Sequence, residues 1–256
     1  MRANLSSCEF FDVQTRSWTL APHMHTPRHA FSMCVHPTNG DVYVTGGWTH
    51  GSRCIGTFER LTYGKDQWDV CTPMIMPRRL HGSAFVLSGA VKEGAAVKEG
   101  AAVKEGSEGS IYVFGGSPGN DVEQKLKTDC VECYDISKQV WQRLSNMPFA
   151  AHVVSFAVGA FIYVLPYGSH VMLKYNPLHD TYDTSLGHLP LENWHGFSVT
   201  HNAAYDVSGL YVVGGASNAK WTKKGFRYDV VDNTWTELNE MSLARRRTAC
   251  AIGLSL

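Results

Sequence analysis

The sequence predicts an all-β fold of short four-stranded sheets set radially about one axis, and three recurring signatures predict it. The first is a strand that ends in a glycine pair: DVYVTGG (41–47), SIYVFGG (110–116) and GLYVVGG (209–215). A fourth copy, FIYVLPY (161–167), keeps the strand and loses the glycines. The second signature is a pair of large side chains seven residues apart: Phe11/Trp18, Leu61/Trp68, Tyr134/Trp141, Tyr175/Tyr182 and Tyr228/Trp235. Turn formers such as DVQTRS, YDISKQ and DVVDNT lie between them, so each pair marks a hairpin. The third is a histidine that opens an apolar run after a Pro-, Met- or Arg-rich connector: His29, His81, His152 and His195, with Thr248 in the fifth place.

These openings are separated by 52, 71, 43 and 53 residues. The long interval holds AVKEGAAVKEGAAVKEG (90–106), a six-residue unit repeated almost three times. Its Lys and Glu cancel and its Gly and Ala bury little, so it reads as an insertion within one repeat rather than a linker between two domains. Without it the period is about 50 residues, four strands to the unit, and internal repetition at that period means radially stacked sheets.

The order apolar strand, IYVFGG, a Glu two residues before an aromatic (Glu9, Glu132), seven residues, then Trp, resembles the kelch repeat. The resemblance covers nearly the whole chain and implies one β-propeller domain over 1–256. In each blade, strands a to d run outward from a central channel. Complete blades are expected at about 29–71, 81–144, 152–186 and 195–238. A partial unit opens the chain at 1–20 and another ends it at 248–256. The resemblance implies that these partial units meet in a composite blade, giving a five-bladed ring or part of a six-bladed one. The Trp and Tyr rings are expected to fill the space between blades. The equivalent histidines are expected to be structural rather than a metal ring, and Cys130 and Cys133, three apart on strand c, to point to opposite faces as buried thiols.

Composition excludes several function classes. The 23 basic and 23 acidic residues balance, so no overall field draws the chain to nucleic acid or an anionic membrane. No apolar run approaches the roughly 20 residues of a membrane-spanning helix, and the start MRANLSSCEFFDV has no secretory h-region. Seven scattered cysteines fit free thiols. A cytoplasmic or nuclear location is the expectation.

Function is expected on the face shared by the d-to-a connectors and the b-to-c loops. The connectors bring Arg28, Arg78, Arg79, Trp194, Arg245, Arg246 and Arg247; the loops add Trp48, His50, Arg53, Lys220 and Trp221. Arginine and tryptophan dominate binding hot spots, and arginine recognises carboxylates through paired hydrogen bonds. The reading is a non-catalytic adaptor or scaffold binding a protein partner through an acidic segment, with no cofactor, no metal and no catalytic residue. The resemblance leaves two alternatives, a small-molecule enzyme of the mutarotase or metal-dependent specifier kind and an actin-associated structural protein. It also implies an indirect link to a ubiquitin ligase through a partner or a further module such as BTB or F-box.

Overall fold

In the computed structural model the described residues are 5–12, 14–51, 53–90, 109–119, 125–201 and 206–246. Most of the 90–106 insertion, Arg247 and the expected final strand at 248–256 lie outside them. The described residues build four four-stranded antiparallel sheets, a two-stranded hairpin near the start, and three two-stranded pairs of two residues each, Trp48–Thr49 with Arg53–Cys54, Arg78–Arg79 with Ser117–Pro118, and Ala216–Ser217 with Lys220–Trp221. The hairpin pairs Cys8–Asp12 with Ser17–Ala21. Sheet I contains Ser32–Val35, Val42–Thr45, Phe58–Leu61 and Asp69–Cys71; sheet II contains Gly82–Leu87, Gly109–Phe114, Val131–Asp135 and Val140–Leu144. Sheet III contains Val153–Val158, Phe161–Pro166, Leu173–Asn176 and Thr181–Asp183; sheet IV contains Ser198–Thr200, Gly209–Val213, Gly225–Asp229 and Thr234–Glu237. In each sheet the strands pair in chain order, and are called a to d below.

The seven-residue aromatic pairs are cross-strand partners: Phe11 faces Trp18, Tyr134 faces Trp141, Tyr175 faces Tyr182 and Tyr228 faces Trp235. The strand c member does the filling between sheets. Tyr134 is buried with Phe58 of sheet I, Tyr175 with Phe114 of sheet II, and Tyr228 with Tyr163 of sheet III. The outer member packs there too, Trp141 edge-on against Phe58 of sheet I at 5.5 Å, and carries a second task. Trp141 and Trp235 are only half-buried, and each outer ring caps the chain leaving the preceding unit. Trp68 Nε1–H donates to Pro22 O (2.8 Å) and Trp141 Nε1–H to Thr72 O (2.7 Å). Tyr182 O–H donates to Ser145 O (3.0 Å), and Trp235 Nε1–H reaches Gly187 O at 3.5 Å.

Each connector docks on its sheet through one repeated arrangement. Arg28 lies in the core against Glu59 on strand c of sheet I, and Arg78 against Glu132 on strand c of sheet II. The guanidinium groups also donate to backbone carbonyls, Gly46 and Thr57 for Arg28, Gly115 and Cys130 for Arg78. The carboxylates accept backbone N–H groups of the incoming connector, His25 and Thr26 on Glu59, Ile75 and Met76 on Glu132. Every group in the pair is satisfied, which a buried charge requires. The same two repeat positions hold Ala151 and Leu173 in sheet III. In sheet IV they hold Trp194 and Phe226, whose rings meet edge-on at 5.5 Å. Arg245 of the fifth connector and Glu9 of the hairpin occupy those positions in the last repeat, both exposed.

The placement of Arg28, Arg78 and Trp194 corrects their assignment to a partner-binding surface. Their side chains are core groups, at 3%, 0% and 0% exposure, and what they recognise is their own sheet. Cys130 and Cys133 are buried, unbridged thiols. The Cys130 sulfur receives Nη1 of Arg143 at 2.9 Å, while burial pushes the Cys133 thiol up to about 11.

Replacing Glu132 with Ala strands the Arg78 charge in the core and orphans two backbone N–H groups. A loss of about 3–5 kcal/mol in urea unfolding is the expected outcome. The double replacement Arg78→Ala/Glu132→Leu, which copies sheet III, should cost less than Glu132→Ala alone; an equal or larger cost would overturn the clamp.

A basic ring at the mouth of the channel

The connectors share a register that the sequence half hides. A residue at the same place in each, Met24, Met74, Met147, Leu189 and Met241, donates its N–H to the unit before: to Ser6, Gly56, Asp129, His170 and Lys223. Four residues further, five in the fourth connector, come Arg28, Arg78, Ala151, Trp194 and Arg245. The backbone carbonyls of the last four each accept an N–H from the preceding sheet, from Gly47, Gly116, Gly168 and Gly215. One residue further lie His29, Arg79, His152, His195 and Arg246. Four of these pair across to the residue that follows the strand b turn: His29 to Trp48, Arg79 to Ser117, His152 to Tyr167 and His195 to Ala216.

This register moves one of the sequence landmarks. His81 opens an apolar run as the other three histidines do, but its equivalent in sheet I is Phe31, not His29. It is buried between sheets I and II, where Nε2 meets Thr45 Oγ1 at 2.9 Å and Nδ1 has no hydrogen-bond partner. Arg79 takes its place in the ring.

The glycine pairs exist to let that ring close in. A Cβ on Gly47 would lie 2.9 Å from His29 O, one on Gly116 2.5 Å from Arg79 O, and one on Gly215 2.8 Å from His195 O. All three also have φ near +100°, where side chains are strained. Across from them the residue after the ring position turns left-handed: Ala30 (φ 53°), Leu80 (φ 54°) and Gly196 (φ 64°). Sheet III does without both features. Pro166 stands in the place of the glycine pair, strand a runs straight from Val153, and since proline has no N–H, the bond to Trp194 O comes from Gly168 instead (2.8 Å).

The ring residues of all five connectors, with Lys127, line one open cavity of about 860 Å³. This is the size of a ligand-binding cleft. Its described lining residues include Arg79, Lys127 and Arg246 beside the three histidines. Arg79 is held flat, its guanidinium carbon 3.8 Å from the centre of the Trp48 ring, a cation–π contact that also explains why Trp48 is buried. Arg246 lies 5.3 Å over the exposed ring of Trp221 in the same way. Partial burial and the neighbouring Arg79 and His50 hold His29 below the usual histidine value.

The sequence-derived site residues therefore divide into groups. Arg79 and Arg246 point into the cavity, with Trp48 and Trp221 as their supports. His50 reaches the field of His29; Arg53, Lys220 and Arg245 are exposed on the connector and loop side. Arg28, Arg78 and Trp194 are internal, and Arg247 lies outside the described residues. Pattern reading missed His29, His152, His195 and Lys127 as site residues. The signal that finds them is the four-residue step from Met24, Met74, Met147 and Met241. Among the described residues no group of three or more His, Cys, Asp or Glu side chains is placed to hold a metal ion, and no helix is long and apolar enough to cross a membrane.

With the geometry in place, the comparisons decide the family. The kelch motif matches residues 27–75, 105–148 and 209–242. This is a kelch-repeat chain. The matches take in sheet I and strands b to d of sheets II and IV; the kelch unit they pass over, sheet III, is the one whose glycine pair is lost. A RING finger domain and kelch repeat-containing protein of Dictyostelium discoideum is 28% identical over 142 residues, 55% of this chain and 12% of that protein. The chain thus spans about an eighth of that relative's length. The fold is an all-β kelch β-propeller.

His81 gives the propeller an acid sensitivity. Burial and the charges of Arg78 and Arg28 hold it down at about 3, against about 6.5 when unfolded. The unfolded chain therefore binds the proton that the folded one refuses. Stability falls with pH below about 6.5 by roughly 1.4 kcal/mol per unit from this group. His81→Gln should lose that slope between pH 6.5 and 5 in urea unfolding; an unchanged slope would place the acid-sensitive group elsewhere.

Proposed function

We propose that this chain is a non-catalytic protein-interaction module that receives an acidic segment of a partner protein at the mouth of its channel. Kelch repeats are generally protein-interaction modules, and the coarse reading rests on that. The observation that supports the finer one is the convergence of five equivalent connector positions, two arginines and three histidines, on one cavity. A partner carboxylate there would meet bidentate donors already held flat by Trp48 and Trp221, so little side-chain freedom is lost on binding. Arg53, Lys220 and Arg245 extend the positive surface outward and favour capture of a negatively charged segment.

We read the ring as a binding surface rather than a catalytic one, on the ground that kelch repeats are generally protein-interaction modules. The Dictyostelium relative's name couples a RING finger to kelch repeats, and on that ground we assign the acidic partner to ubiquitin-ligase recruitment rather than to actin filaments.

The test is binding of a fluorescent hexaglutamate peptide and its hexaglutamine counterpart at low salt. Arg79→Glu/Arg246→Glu should lower affinity for the acidic peptide at least about tenfold, the scale of losing two charge-assisted contacts. Arg246→Glu alone, at an exposed position, should weaken binding with a thermal melt close to wild type. Equal affinity for both peptides, or none for either, would remove the acidic-segment reading.

A further inference from the structure

A tyrosine stands at the same place on strand b of every sheet, and in sheets I to III its ring meets an aromatic ring of the following sheet. The residue directly across from it on strand c varies. Tyr43 faces Arg60 in sheet I and Tyr211 faces Arg227 in sheet IV, while sheets II and III hold Cys133 and Lys174 there. We infer that the cavity at the sheet I pair, between sheets I and II, is a receptor for a single carboxylate group held by Arg60 and Tyr43. It shares no lining residue with the channel mouth, so the two sites stand or fall separately.

Sheet IV shows what this pair of side chains holds. Arg227 grips the Asp206 carboxylate with two parallel bonds, Nε–H to Oδ2 at 2.5 Å and Nη2–H to Oδ1 at 2.9 Å. The Tyr211 hydroxyl donates to the same Oδ2 at 2.9 Å. The Arg227 guanidinium holds the Asp206 carboxyl well below the usual carboxylate range. Paired bonds from a guanidinium edge are the strong form of carboxylate recognition, and here a tyrosine hydroxyl adds a third donor.

In sheet I the same two side chains are in place and the internal carboxylate has no counterpart. Asp206 stands three residues before GLYVVGG; three residues before DVYVTGG stands Thr38, whose Oγ1 lies 3.2 Å from His36 Nδ1. Arg60 Nη2–H reaches Asp69 Oδ2 at 3.3 Å, and its buried Nε–H has no hydrogen-bond partner among the described residues. A bare N–H of this kind costs free energy that a carboxylate brought onto Nε and Nη2 together recovers. Burial, then the neighbouring Asp41, pushes the Tyr43 hydroxyl up to about 12, so it stays protonated as the third donor. Asp41 is itself engaged, accepting the backbone N–H of Tyr63 at 3.1 Å. Asp69 is 51% exposed and holds Arg60 by one arm, which leaves it free to turn to solvent when a carboxylate enters. The cavity measures about 240 Å³, with Tyr134 of sheet II among its walls. That is the volume of about eight liquid waters, room for one Asp or Glu side chain and not for a length of chain.

The probe is acetate, followed through the arginine Nε–H resonances of isotope-labelled protein, with chloride at equal ionic strength as the blank. Arg60→Lys assigns the Arg60 resonance by its loss. That resonance should shift saturably at millimolar acetate, while the Arg227 resonance, whose carboxylate is already in place, stays where it is. Asp69→Asn, at an exposed position, removes the competing charge and should tighten acetate binding about threefold. Tyr43→Phe should weaken it about threefold, the scale of one hydrogen bond. The peptide acetyl-Gly-Glu-Gly-amide reads the source of the carboxylate. Binding at least as tight as acetate assigns the site to a partner's glutamate side chain, and exclusion of the peptide assigns it to a free small acid. An Arg60 resonance that acetate moves no more than chloride does, or an acetate affinity that Asp69→Asn leaves unchanged, overturns the site.

Discussion

Everything at the channel mouth depends on where each connector enters its sheet, and in sheets I and II a buried guanidinium–carboxylate pair decides that. Arg28 with Glu59 and Arg78 with Glu132 tie the incoming chain to strand c through side chains and backbone together. With both ends of the pair saturated by hydrogen bonds, the connector has one place to lie. The next residue is then carried to the opening, and its own carbonyl is gripped by the glycine-ended strand beside it. Two adjacent buried arginines are thus given different neighbours, Arg78 against Glu132 in the core and Arg79 against Trp48 at the cavity wall.

The same docking is achieved with different chemistry elsewhere. Ala151 against Leu173 and Trp194 against Phe226 replace the ion pair by apolar packing. A fully buried ion pair and a well-packed apolar pair of similar volume are energetically close alternatives. The ring survives the exchange because what it needs is a fixed connector. The loss of the glycine pair in sheet III is compensated in the same spirit, with Gly168 supplying the donor that Pro166 lacks.

The connector cations fall into two sets, internal and cavity-lining, that the whole-chain charge balance conceals. A chain with equal numbers of acidic and basic residues places its connector cations around one opening and keeps carboxylates such as Glu59 and Glu132 in the core beneath it. The internal carboxylates pair with the internal arginines, Glu59 with Arg28 and Glu132 with Arg78. Cation–π supports from Trp48 and Trp221 hold two of the cavity-lining charges in place without cancelling them.

Much of the architecture was legible in the sequence. The glycine-ended strands and the seven-residue aromatic spacing predicted four-stranded sheets, because strand pairing and hairpin length are local properties. The Arg–Glu clamps were not legible, since Arg28 and Glu59 are 31 residues apart and an arginine beside a turn looks solvated. Nor was the exchange of His81 for Arg79, because a two-residue difference in where a connector turns left-handed is set by the neighbouring sheet's backbone. The sequence by itself determined the repeat, the strands and which residue types each connector carries. Only the tertiary structure decided which of two adjacent side chains pairs with strand c and which lines the cavity, because one backbone step reverses direction and the carbonyl gripped by the next sheet chooses the step.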